Sequence, residues 1–137
     1  MYDPKVPVSV GEALDKLTIL EIKEEKLTDK ASLALVRDEG KKITAALTAA
    51  GVSNETLSGS AVRELYYVNL ALWEVEDQLR ASRGAIREHL AAVTDFTDLA
   101  EAVPDLNRKR FECKARLNEQ HGSSIREVKQ YHGEGEE

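Results

Sequence analysis

Three runs of apolar residues recur at steps of three and four, and this periodicity narrows the available folds more than any other feature of the chain. Leu33, Val36, Gly40, Ile43, Leu47 and Ala50 form one run, and Ala61, Leu65, Val68, Leu72, Val75 and Leu79 form a second. Phe96, Leu99, Val103, Leu106, Cys113 and Leu117 form a third. On a helix with about 3.6 residues per turn, each run becomes one stripe of side chains. No segment shows the period-two alternation of a half-buried strand. The pattern predicts an all-α fold, a helical bundle of about four main helices packed antiparallel.

Punctuation places the ends of these helices. "SVGE" reads as a capping box, Ser9 accepting from the amide three residues on while Glu12 reaches back, and opens a first helix over residues 10–27. "TDKAS" interrupts, and the second helix ends at Gly51. Beyond a polar loop, "GVSNETLSGS", a third helix runs to the neighbourhood of Gly84. "AIREHLAAV" is a weaker helical stretch leading to Thr94 or Asp95, either of which can cap the last long helix. Pro104 is expected to kink or split that helix, because it lacks an amide donor and its ring clashes with the preceding turn. A short helical "IREVKQY" should follow the polar cap at Ser123 and Ser124. The 137 residues suit one domain, expected over 1–132, with 133–137 a disordered acidic tail.

Charge and cysteine content remove several function classes. A net charge of -6 argues against a general nucleic-acid binder, which needs clustered cations in excess. "NRKRFECKAR" holds five basic residues against one acid, but reads as a solvated helix face. The single cysteine, Cys113, excludes an internal disulfide framework and reads as a small buried apolar group. His89, His121 and His132 share no metal-ligand spacing and are expected at the surface. The N-terminus lacks an apolar stretch long enough for a signal peptide, and no run approaches a membrane span. A cytoplasmic protein without a membrane partner is expected.

Polar residues fall where the stripes call for apolar ones. Continuing the last run from Leu106 lands on Arg110, which therefore needs a partner, with Asn107, Lys114 and Asn118 along the same edge. On the third helix Asn69, Trp73, Glu76 and Arg80 flank the apolar seam, with Asp77 further round; on the first, Thr18, Glu21 and Glu25 share a face near Lys16 and Lys23. Two chemistries fit. In one, Arg110 pairs with Glu76 or Glu21 as a buried clasp that fixes helix register. In the other, an inter-helix pocket uses Trp73 as a stacking surface, Arg110, Lys114 and Lys16 as anion contacts, and Asn69 and Asn118 to orient the ligand. A third arrangement, Glu21 and Glu24 with Glu74 and Asp77, is like the paired carboxylates that hold Mg2+ in all-helical nucleotide pyrophosphohydrolases.

"PVSVGEALDKLTILEIKEEKLTD", "VNLALWEVEDQLR" and "LAEAVPDLNRKRFECKARLNEQHGSSIREVKQY" together resemble an uncharacterised family of small helical bacterial and phage proteins. The likeness spans nearly the whole chain. It marks Ser9, Glu12, Asp15, Lys16, Thr18, Glu21, Lys23, Asn69, Trp73, Glu76, Asp77, Arg80, Asn107, Arg110, Lys114, Asn118, Ser123, Lys129 and Tyr131. Arg108 departs from it, standing where the family carries an acid.

The family implies no activity, but the marked positions include the polar stripes already found. By fold-level analogy with small phage oligomers that sequester nucleotide immune signals, the first expectation is non-enzymatic capture of an anionic, nucleotide-like ligand, with no cofactor. The ligand-binding residues would be Lys16, Asn69, Trp73, Glu76, Arg80, Asn107, Arg110, Lys114 and Asn118. The alternatives are metal-dependent pyrophosphate hydrolysis and an accessory subunit with no ligand. Ile22, Leu35, Leu70 and Ile86 lie off the main seams, which points to a homo-oligomer that covers them.

Overall fold

The computed structural model describes residues 3–86, 92–125 and 127–128. Its elements are α1 (Val10–Lys26), α2 (Lys30–Ala49), a one-turn α3 (Asn54–Leu57), α4 (Ser60–Ile86) and α5 (Ala92–Gln120). The fold is all-α, four long helices and no strand among the described residues.

Local chemistry explains most of the boundaries. The Ser9 hydroxyl accepts from the Glu12 amide at 3.0 Å, and Asp29 caps α2 by accepting from the Ser32 amide at 2.8 Å. Past the end of α2, Gly51 takes φ of +94°, a left-handed conformation that glycine adopts without a Cβ penalty. The loop after it holds α3, a single turn that the hydrophobic pattern does not register because it is only four residues long. α5 runs unbroken through Pro104 rather than splitting there, and it begins before Thr94. Ile125, Glu127 and Val128 are not helical, against the short helix expected over "IREVKQY". The middle of "AIREHLAAV", the residues Lys129 and Tyr131, and the tail lie outside the described residues.

The three expected seams are buried to very different degrees. Leu65, Leu72, Cys113 and Leu117 of the second and third seams are buried, whereas α2 contributes only Leu47. The main cluster joins Leu14 of α1, Leu47 and Val52, Val62 and Leu65 of α4, and Cys113 and Leu117 of α5. Burial pushes the Cys113 thiol up from its ordinary value. α1 packs on α2, α4 and α5, while α2 packs chiefly on α1. Polar contacts give the register of α1 on α5: residue 11 meets 118, 12 meets 114 and 15 meets 110, an antiparallel pairing.

Candidate functional site, a polar clasp between α1, α4 and α5

Arg110 does find a carboxylate, but on a residue that helix phase alone did not select. Its Nε donates to Asp15 Oδ1 at 2.8 Å and its Nη2 to Asp15 Oδ2 at 2.5 Å, a two-point fork. Neither Glu76 nor Glu21 takes this place: Glu76 is exposed, and Glu21 accepts from Arg63 at 3.0 and 3.1 Å. The Asp15 side chain is 1% exposed and that of Arg110 30%, so the pair sits at the edge of the core with its acid inside. The bonds from Arg110 to Asp15 hold the guanidinium above its ordinary pKa.

Asn69 ties α4 into the same group. Its Nδ2 donates to Asp15 Oδ1 and to Thr18 Oγ1, both at 2.9 Å, and the Thr18 hydroxyl donates to the Asp15 carbonyl at 2.7 Å. Asp15 therefore accepts from two other helices at once, which offsets the cost of burying its charge.

One turn further along α5, Lys114 donates to Glu12 at 3.0 Å and pairs with Glu127 at 2.6 Å, its side chain only 9% exposed. Burial works to lower the Lys114 pKa, yet the bonds from Glu127 and Glu12 outweigh it and leave the ammonium above its usual range. Glu12 thus bonds Lys114 rather than turning back on Ser9, so the capping box is only half made.

Asn118 completes the group by accepting from the Gly11 amide at 2.6 Å, and Ser123 Oγ accepts from the Val10 amide at 3.3 Å. The amides of Val10, Gly11 and Glu12, the free donors of the first turn, are all satisfied by side chains. This N-terminus is closed to an anion. The approach of α5 is so close that a Cβ on Gly11 would collide with the Lys114 carbonyl and lie 2.8 Å from Asn118 Oδ1.

Of the nine expected ligand contacts, Asn69, Arg110, Lys114 and Asn118 belong to this clasp. Trp73 lies one turn beyond Asn69 and Asn107 one turn before Arg110; both are half-buried. Lys16 faces α2 instead and pairs with Glu39 at 2.7 Å. Arg80 pairs with Asp77 on its own helix, and both are exposed. The four carboxylates of the metal alternative are not gathered: Glu21 bonds Arg63, Glu24 bonds Arg37, Glu74 pairs with Lys26 and Asp77 with Arg80. Among the described residues, no group of three or more histidine, cysteine or carboxylate side chains is placed to hold a metal. His121 is half-buried rather than exposed; His89 and His132 lie outside the described residues.

Helix phase missed Asp15, Glu12 and Gly11 as members of the clasp. The signal was present as matched one-turn spacings, Glu12 with Asp15 on α1 against Lys114 with Arg110 on α5. Reading it required the antiparallel register. No described helix is long and apolar enough to cross a membrane. Comparison with protein-family models, curated proteins and solved structures finds no match to this chain.

Proposed function

We propose that the chain is a non-enzymatic accessory protein of the cytoplasm that works as a homo-oligomer, its polar stripe serving to lock α1 onto α4 and α5. The observation that carries this reading is the fork from Arg110 to the buried Asp15 carboxylate. The cations expected to meet phosphate are already engaged: Arg110 by Asp15, Lys114 by Glu12 and Glu127, Lys16 by Glu39. Around Arg110 and Lys114 stand three carboxylates, Glu12, Asp15 and Glu127, so an incoming phosphate would meet net negative charge.

A second reading, capture of a small anionic, nucleotide-like ligand, is favoured by one specific feature. Arg110 remains 30% exposed with half-buried Asn107 one turn before it, and half-buried Trp73 lies one turn beyond Asn69 of the same clasp, side chains whose chemistry suits an anionic group and a planar ring. Trp73 is the only tryptophan, so its fluorescence decides between the readings. Nucleotides and sugar phosphates titrated at two salt concentrations are expected to leave it unchanged, with Asn107→Ala silent and Arg110→Ala destabilising by about 3 kcal/mol. A saturable change that weakens with salt and is lost in Asn107→Ala would establish the second reading instead.

A further inference from the structure

α2 is a long helix with little to cover it. A groove of about 680 Å3 runs between α1 and α2, lined by Leu17, Leu20, Val36, Gly40 and Thr44. Gly40 sits inside α2 with no left-handed φ, and a Cβ there would meet nothing within 4 Å. A mid-helix glycine costs about 1 kcal/mol against alanine, and nothing among the described residues comes close enough to call for one here. Close approach of another surface to the groove would.

The charges beside the groove say which surface. Glu21 and Glu24 line it from α1, and Arg37 and Lys41 line it from α2. One side is acidic and the other basic. Glu24 and Arg37 stand level, bonded across it at 2.9 Å. Because the two helices run antiparallel, Glu21 and Lys41 lie one turn along from that pair in the same direction. A two-fold axis parallel to the groove exchanges its left and right sides and preserves height. It therefore sets each acidic side opposite a second copy's basic side in register, Glu24 facing Arg37 and Glu21 facing Lys41. The two hairpins then close as a four-helix bundle whose core is the groove itself.

We propose that this α1–α2 face is the homodimer interface. The proposal rests on the homo-oligomer reading above and gives it a face and a symmetry. At about 1.5 Å per residue α2 is about 30 Å long, so a face two helices wide approaches the roughly 800 Å2 per partner of a standard interface. The in-chain pairs of Glu24 with Arg37 and of Glu21 with Arg63 are both exposed, and their exchange for pairs between copies, or the sharing of Glu21 between Arg63 and the second copy's Lys41, is nearly neutral. The gain comes from the apolar floor.

Sedimentation equilibrium of the full chain, with far-UV circular dichroism to confirm folding, tests this. Wild type is expected to dimerise at micromolar concentration. Glu24→Arg and Arg37→Glu each place like charges opposite one another on both sides of the two-fold axis and should weaken association by about tenfold or more. An equimolar mixture of the two variants should associate again, since every cross-copy contact then pairs an acid with a base. The mixture cannot repair the in-chain pair that each variant has lost, so rescue reports the contact between copies. Gly40→Leu, whose Cβ meets nothing within 4 Å among the described residues, should also block the dimer by filling the groove, with circular dichroism confirming that the variant folds. A monomer at several hundred micromolar would remove both this face and the homo-oligomer reading. A dimer indifferent to both reversals, or a mixture without rescue, would remove this face alone.

Discussion

α1 and α2 are consecutive helices of 17 and 20 residues, yet they stand at opposite extremes of burial. α1 buries Gly11, Leu14, Asp15, Thr18, Leu20 and Ile22; α2 buries Leu47. The apolar stripe of α2 is the more regular of the two in sequence. What separates them is the number of neighbours, because α1 is enclosed by three helices and α2 leans chiefly on one, reaching the core through Leu47. Periodicity records which face a helix can bury, and only packing decides whether the face is covered. α1 also buries polar groups, and each must be matched from another helix, which makes its position far more specific than that of α2.

Truncation in the two helices gives the widest separation. Leu14 is fully buried in the core cluster, and Leu14→Ala is expected to cost about 2 to 5 kcal/mol in denaturant unfolding. Leu35 on α2 is 73% exposed, and Leu35→Ala should stay within about 0.5 kcal/mol of wild type. Equal losses at the two positions would mean that α2 is enclosed after all.

Gly11 of α1 and Gly40 of α2 should answer in opposite directions. Gly11→Ala drives a methyl into the Lys114 carbonyl and is expected to destabilise by about 1 to 3 kcal/mol. Gly40→Ala meets open space and, measured at concentrations too low for association, should stabilise by about 0.5 to 1 kcal/mol. A stabilising Gly11→Ala would show that α1 and α5 do not approach so closely.

A smaller effect comes from the other end of α1. The Tyr66 hydroxyl donates to both oxygens of Glu25, at 2.8 and 2.7 Å, while Arg63 stacks over the Tyr66 ring at 4.1 Å from its centre. The bond to Glu25, together with burial, pushes the phenol up to about 12 from its ordinary 10.0. The neutral phenol is the favoured form in the fold, so its contribution is complete below pH 10 and is lost as pH rises towards 12. Stability followed across that window should fall in wild type and fall less steeply in Tyr66→Phe. Identical slopes would sever this link between α1 and α4.

Much of this architecture is legible from local chemistry. Ser9, Asp29 and Gly51 mark helix ends through interactions within a few residues, and Leu65, Leu72 and Leu117 announce their burial by spacing. That Arg110 needs a carboxylate is equally legible, since its place in the stripe demands one. Which carboxylate is another matter. Asp15, Glu21 and Glu76 are chemically near-equivalent, and the choice depends on how α1 lies along α5. Gly11 does not signal its contact with Lys114 for the same reason. Ile22 lies off the main seams yet is 1% exposed in the fold, whereas Leu35, equally apolar, is left at the surface. The number of flanking helices decides that difference.

A double-mutant cycle on Asp15 and Arg110, read by chemical denaturation, tests most directly whether the polar stripe is a clasp. Asp15→Ala, Arg110→Ala and the double variant are compared with wild type. Each single change should destabilise by about 3 kcal/mol and the double change by little more, a coupling of about 1.5 to 3 kcal/mol, because each single change leaves the other partner unpaired. Additive losses with coupling below about 0.5 kcal/mol, or an Arg110→Ala variant as stable as wild type, would contradict the clasp.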